Sequence, residues 1–581
     1  MDLEKIYCLL KEMFDGGDCF AQMKAIWEND RWFSRDKFNL TARYCAETME
    51  KAGLSVEMLP LKADGETMYY DWKMPIGWDA EKAVLRYAGG EIIADYREKP
   101  CQLTMYCPST QGIVEGEVIV PDREDPEPEK YRGKILLVRE PVVKWTRFAD
   151  SVGAIGVLSD VIPILPGIRD SREELYDECP WMGMSARAKC FGMHLTPRQA
   201  DALRRRMQLG PVRLQAEIKT RTYAGISYTV IGEIPGTEPG EPAVLGCGHL
   251  YEPGANDNAS GTGALLYLAK MLGEAVREGR LPQPRRTIRF LLGDECWGSM
   301  GYLATYPEKK HLCGIVADMI GTEKGDRAIL SLRYDPLSNW SFADAALFAL
   351  ADIAKRQSGD FAAEDVYVDV GTDNIIADPC FGIPTVAMVA SPALSYHSSM
   401  DRPDRIEPDT LTRNALIIGS FLWAMANAEE ADHPYLAEQI RLQTAYRSKD
   451  ASPRREALLR QAGARAFHSL NRLGAAYPAP VETAAPMPDY AMATGSRIPV
   501  RKMLGVLNYV GEYNGRKLRA SWNGECMVNT CWADGKRTLW EIAYLSAVEK
   551  NRCAEEEIRA EFEFVSDFFA ALEEIGYLCW Q

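Results

Sequence analysis

Five side chains of this 581-residue sequence are of the types that hold divalent metal: His249, Asp257, Glu295, Asp318 and His397. Two imidazoles and three carboxylates, with no thiolate among them, form a donor set suited to zinc in a hydrolytic centre, where water or hydroxide keeps one coordination position. Mn²⁺ and Co²⁺ are the substitutes that such donors accept. Three carboxylates gathered in one cleft need protons or cations to compensate their charge, and two divalent ions do so. Cys247 and Cys296 lie beside these positions and read as buried structural thiols.

The elements around these residues agree with that chemistry. Apolar strand-like runs (YTVIGEI, AVLGCGH, TIRFLLGDE, CGIVADMIG, PTVAMVA) alternate with helical patterns such as Ser260 to Val276. That alternation predicts a three-layer α/β fold, with a mostly parallel mixed sheet and helices on both faces. Ligands of such sheets collect at the carboxyl ends of the strands, where this sequence puts His249, Asp294 with Glu295, and Asp318.

The texture changes along the chain divide it into five segments. Residues 1–95 read as a mainly helical N-terminal part of the same domain, and 96–221 as an inserted β-rich unit of short strands and turns (GEVIVP, GKILLV, GAIGVL). Residues 222–430 are the catalytic α/β domain. An Ala-, Arg- and Pro-rich stretch makes 431–495 a helical or linker extension, and 496–581 ends in helix, helix and short strand. The order of strands in the insert resembles the protease-associated domain. The terminal unit, with its DGKRT turn opening a helix, resembles winged-helix modules; a peptide or domain contact is expected of it rather than DNA.

At the site, the segments GHLYEPGANDNASGTGALL, GDECWGSMGY, VADMIG, GTDN and YHSSMDRPDRI stand in the order and at the intervals of a known family. They resemble the di-zinc aminopeptidases that also include glutamate carboxypeptidase. The resemblance implies that Asp257 bridges two zinc ions, that His249 and Asp318 complete one ligand set, and that Glu295 and His397 complete the other. It implies that Asp294 is the general base that takes a proton from the metal-bound water. It also implies a cis peptide bond after Asp257. Three features depart from the family pattern. Asp294 stands where Glu is usual, Tyr251 stands where an Asp orients the first imidazole, and the His249-to-Asp257 interval is short. Tyr251 or Glu252 then has to orient His249. Tyr251, Glu252, Asp373 and Tyr396 are the candidate substrate-binding residues; Asp373 could equally serve an Asx-type turn, and Tyr396 either donates to an oxyanion or packs.

The implied function is a metal-dependent aminopeptidase acting on peptides with a free N-terminus. The alternatives are another amide hydrolase or a glutaminyl cyclase-like enzyme of the same fold, or a pseudo-peptidase that only binds. Composition narrows the partners. With 67 Lys plus Arg against 83 Asp plus Glu, the net charge of −16 argues against a nucleic-acid-binding role. From Ala431 to Gln581 there are 19 of each, so the whole acidic excess lies in residues 1–430. Fifteen scattered cysteines and an acidic start (MDLEKIYCLLKEMF) suggest reduced thiols and a cytoplasmic protein. No membrane segment is expected: the longest uncharged stretch, Pro379 to Met400, contains three prolines. The C-terminal region is the candidate surface for homo-oligomerisation.

Overall fold

Strands covered on both faces show no alternation, and the runs Ala243–Leu250, Ile288–Asp294 and His311–Asp318 are buried at every position. A computed structural model describes residues 2–359, 361–366, 371–480, 485–513, 516–520 and 523–581. In it these runs form the centre of an eight-stranded sheet. The strand order is Ser55–Ala63, Gly225–Ile234, Ile288–Asp294, Ala243–Leu250, His311–Asp318, Thr385–Val389, Leu330–Arg333 and Ala363–Val366. The four strands from Ile288–Asp294 to Thr385–Val389 are parallel, and an antiparallel strand flanks them on each side. Their carboxyl ends therefore open on one edge.

Helices cover both faces. The Cβ position of Gly246 points at Leu265 and Leu422, in the helices Ala259–Arg277 and Pro408–Asn427. The next residue, Cys247, meets Ser299 of the helix Trp297–Thr305, Sγ to Oγ 3.6 Å, on the other face, as a period of two requires. The helix Arg35–Ala52 lies over Gly225–Ile234, with the Met49 sulfur against Gly232. This is the three-layer α/β architecture that the strand and helix patterns predict.

A second, seven-stranded sheet runs in the order Ile92–Asp95, Gly77–Tyr87, Arg213–Tyr223, Ile113–Ile119, Ile135–Val138, Gly156–Ser159, Phe191–His194. It has its own core, including Trp78, Leu136, Leu158 and Met193. The inserted unit thus begins at Gly77 and not at residue 96. The strand Gly77–Tyr87 has the same local texture as Ser55–Ala63. Only its antiparallel pairing with Arg213–Tyr223 assigns it to the second sheet, and that pairing is not a local property.

Beyond residue 430 the chain is mostly helical. His433–Ser448 and Pro453–Ser469 are helices within the segment read as a helical or linker extension; residues 481–484 lie outside the described residues. The terminal unit holds three helices, Gly524–Trp532, Leu539–Glu549 and Glu555–Glu574, and pairs Pro499–Arg501 with Leu578–Trp580. Thr538, at the end of the DGKRT turn, caps its helix in a reciprocal box with Glu541. This unit docks on the catalytic domain. Arg501 grips the fully buried Asp378 through two hydrogen bonds of 2.8 and 2.9 Å. Glu549 accepts from the Leu337 and Trp532 N–H groups, and Trp72 Nε1 donates to the Val506 carbonyl at 2.8 Å. All 15 cysteines are unpaired, and ten of them are buried. Among the described residues no helix is long and apolar enough to cross a membrane.

Candidate metal centre

His249 is the penultimate residue of its strand and Asp318 the last of the next one, which brings His249 Nε2 to 3.4 Å from Asp318 Oδ1. Glu295 follows the neighbouring strand Ile288–Asp294 and places Oε1 at 4.0 Å from the same nitrogen. His397 comes from the loop after Thr385–Val389, and its Nε2 lies 3.2 Å from Asp257 Oδ2. Asp257 precedes the helix Ala259–Arg277 through a cis bond to Asn258. Adjacent donors on a tetrahedral zinc stand about 3.3–3.8 Å apart, given bonds of about 2.0–2.3 Å, so the His249–Asp318 and His397–Asp257 separations are close to those of donors that share a cation. His249, Glu295 and Asp318 bring one donor atom each within 4.8 Å of one another, and so do His249, Glu252 and Asp257. Both ring nitrogens of His249 and Oδ1 of Asp318 are buried without a hydrogen-bond partner, as expected of atoms that bind metal.

The electrostatics point the same way. Burial, reinforced by the charges of Asp257 and Glu295, raises the Glu252 carboxyl well above the usual carboxylate range. Burial likewise pushes Glu295 up to about 8, with Asp318 and Asp257 adding repulsion. Burial disfavours the charged form of His249, but Glu295 and Asp318 outweigh it and raise the imidazole well above its ordinary value. Asp257 is also penalised by burial, yet its hydrogen bond to His397 brings it below the ordinary value. Such carboxylates ionise together only with cations among them.

The backbone is strained just where these ligands sit. Tyr251, Cys296, Met319 and His397 all have positive φ, between 50° and 74°. Non-glycine residues in that region cost of order 1–3 kcal/mol each and cluster at functional sites. Hydrogen bonds hold the strained turns. Asp401 accepts from the Asn256 and Asp257 N–H groups at 2.6 and 3.0 Å. Asn258 accepts from Met319 N and donates to the Ala317 carbonyl, both at 3.1 Å, which ties the Asp257 loop to the strand end that carries Asp318. A cavity of roughly 290 Å³ opens over the cluster, lined by Glu252, Asp257, Glu295, Asp318, Tyr396 and His397 among others.

Three expected site residues are not brought to that cavity. Asp294 turns away to Arg35, with Arg35 Nη2 at 2.9 Å from its Oδ2 and Ser227 Oγ at 3.3 Å. Tyr251 is buried beneath the guanidinium of Arg35, 4.0 Å from the ring centroid, between Phe33 and Phe38. Its N–H donates to the buried Asp30 at 3.0 Å. Asp373 is also buried; its carboxylate accepts from Cys296 N at 2.9 Å and from Ser299 Oγ, so it anchors the turn that presents Glu295. Glu252, by contrast, faces the cavity. Arg35, Asp30 and Asp401 hold residues around the site and were not among those expected from the sequence. Asp401 lies in the quoted YHSSMDRPDRI run, but Arg35 and Asp30 carry no local signal.

Arg35 and Asp294 are both buried, so each depends on the other. Arg35→Met keeps the apolar stem and leaves a carboxylate uncompensated, a loss of about 3–5 kcal/mol. Urea unfolding of this variant should show that loss, and Arg35→Met combined with Asp294→Leu should recover most of it.

Residues 229–422 match the family model described as Peptidase family M28. This segment is similar to M28 peptidase domains. All five metal-ligand candidates, together with Glu252 and Asp294, lie inside it, and the chain is a peptidase, a hydrolase. A solved structure of a candidate peptidase from Clostridium acetobutylicum shares the fold over 100% of both chains, at 15% identity and TM-score 0.52. A zinc aminopeptidase from Bacillus subtilis is similar over 71% of this chain and 95% of its own, at 16% identity and TM-score 0.49. For an aminopeptidase from Aneurinibacillus sp. strain AM-1 the values are 72%, 95%, 18% and 0.44. No curated protein matches the chain significantly. Outside the M28 domain, the second sheet and the C-terminal unit lie beyond the matched residues.

Proposed function

We propose that the M28 domain is a di-zinc aminopeptidase that removes N-terminal residues from peptides. The observation that carries this reading is the gathering of donors around His249, with Glu295 and Asp318 in one cluster and Glu252 and Asp257 in another, and with His397 Nε2 3.2 Å from Asp257 Oδ2, beneath a small acidic cavity. Asp257 would serve both ions, with His249 and Asp318 on one and Glu295 and His397 on the other. When bound, the two ions would supply Lewis acidity to the scissile carbonyl and lower the pKa of the attacking water. The protein's own part is positional. Asp401 fixes the Asp257 loop, and the cavity walls exclude bulk water. At roughly 290 Å³ the cavity is at the small end of ligand clefts, which favours one residue over a long segment. Tyr396 is part of the wall, and its hydroxyl would donate to the substrate carbonyl.

The proton is moved by Glu252. Its carboxyl lines the cavity beside Asp257, whereas the Asp294 carboxylate is occupied by Arg35 and Ser227. Glu252 takes the proton from water on a carboxylate oxygen and returns it to the departing amine. The acidic wall also attracts a positively charged peptide terminus, within the roughly 10 Å range that moderate salt allows.

Metal analysis with a peptide-library digest read by mass spectrometry tests the reading. Two zinc equivalents and single-residue shortening from the amino end are expected. Cleavage confined to N-acyl amides, or cyclisation of N-terminal glutamine, would replace the aminopeptidase reading with another amide reaction. Zinc-loaded protein that changes no substrate would leave a binding module.

A further inference from the structure

Among the five donors, His397 is the one least held by the α/β core. It sits on a loop with φ 50° and a side chain 38% exposed, whereas His249 and Asp318 are strand residues with side chains 1% and 8% exposed. What holds it comes from the inserted domain. The segment Cys179–Trp181 runs antiparallel to His397–Ser399, with Pro180 bridging Ser398. Trp181 N donates to the His397 carbonyl at 3.2 Å, Ser399 N donates to the Cys179 carbonyl at 2.8 Å, and Cys179 N donates to Ser399 Oγ at 3.1 Å. Glu178 anchors the junction. It accepts from Lys99 Nζ at 2.7 Å, from Ser399 Oγ at 2.5 Å and from Arg402 Nη1 at 2.9 Å.

The rings complete the clamp. Tyr396 stacks on the His397 imidazole at 3.9 Å and 22°, and the indole of Trp181 lies 5.0 Å from the same imidazole at 37°. Trp181 is itself 6% exposed. It also presses on the Asp257 loop, because a Cβ at Gly254 would stand 2.8 Å from Trp181 Cη2. The indole thus contacts His397 and, at Gly254, the loop that carries Asp257, the residue whose Oδ2 is 3.2 Å from His397 Nε2.

We propose that Trp181, supplied by the inserted domain, is a positioning residue for the metal centre: it holds the His397 imidazole and the Asp257 loop in ligating register. The inference rests on the reading of His397 as a ligand. It gives the insert a role in the peptidase site beyond packing, since the insert and the ligand loop form one hydrogen-bonded unit. Partners that orient metal-binding imidazoles typically affect metal affinity by about 10–100-fold.

Zinc affinity, read by competition with a chromophoric chelator, and the visible absorption of the Co²⁺-substituted protein test the proposal independently of activity. Trp181→Leu keeps apolar volume without a ring, Trp181→Phe keeps a ring, and Trp181→Ala keeps neither. The Leu and Ala variants should weaken one of the two ions about 10–100-fold and alter the Co²⁺ spectrum, while Phe restores most of the affinity. Parental affinity and spectrum in Trp181→Leu, with one ion lost in His397→Ala, would overturn the positioning role alone. Parental metal binding in His397→Ala would overturn the ligand reading, and this inference with it.

Discussion

Asp257→Ala yields a protein that keeps its fold, loses both zinc ions and hydrolyses peptides no faster than background, a drop of about six orders of magnitude or more. The reason is the central place of this carboxylate. Its Oδ2 meets His397 Nε2 at 3.2 Å, and it shares a donor cluster with His249 and Glu252. In the proposed arrangement, removing any other single donor leaves one ligand set intact, whereas removing Asp257 takes a ligand from both. The loop itself should persist, because Asp401 binds the main-chain N–H of residues 256 and 257 and not the Asp257 side chain. Elemental analysis and an unchanged far-UV spectrum would establish the result. Asp257→Asn, which keeps the shape but removes the charge, should retain less than the parental zinc and more than Asp257→Ala. Full zinc content in Asp257→Ala would remove the bridging assignment.

Glu252→Gln should lower kcat by about two to four orders of magnitude while leaving two zinc ions bound. The amide preserves the size of the side chain and its place on the cavity wall, and removes only the capacity to accept and return a proton. The companion variant Asp294→Asn should stay within about tenfold of the parent in kcat and show its effect in stability, because an uncharged partner leaves Arg35 buried without a counter-ion. The pair separates the carboxyl that follows the strand Ala243–Leu250 from the one that ends Ile288–Asp294. A large kcat loss in Asp294→Asn, with Glu252→Gln at parental turnover, would return the proton-transfer role to Asp294. Steady-state kinetics on a single peptide, with metal content measured on the same samples, suffices.

The second prediction, unlike the first, comes from positions where local reading and tertiary placement part. A polar residue directly after an apolar, unalternating run marks the carboxyl end of a buried strand, and parallel strands gather such ends on one edge. His249, Glu295 and Asp318 were therefore legible one by one, and the NDN run at the start of a helix marked Asp257. His397 was legible only through its motif, because it lies on a loop beyond the end of its strand. Asp294 is placed differently from the expectation for a physical reason. Its position beside Glu295 is local, but its carboxylate is claimed by Arg35, which comes from a helix far upstream. Tyr251 went the same way, into the ring cluster beneath that guanidinium.

The α/β class, the acidic character of residues 1–430, the strand ends and the donor set follow from the amino-acid sequence alone, because periodicity, charge and turn chemistry are properties of short windows. Pairing partners are not. The assignment of Gly77–Tyr87 to the second sheet, the capture of Asp294 by Arg35, the exposure of Glu252 in the cavity and the contact of Trp181 with His397 were decided only in the folded chain. Each joins residues far apart in sequence, and the choice among partners is made by the packing of whole layers against one another, which no short window contains.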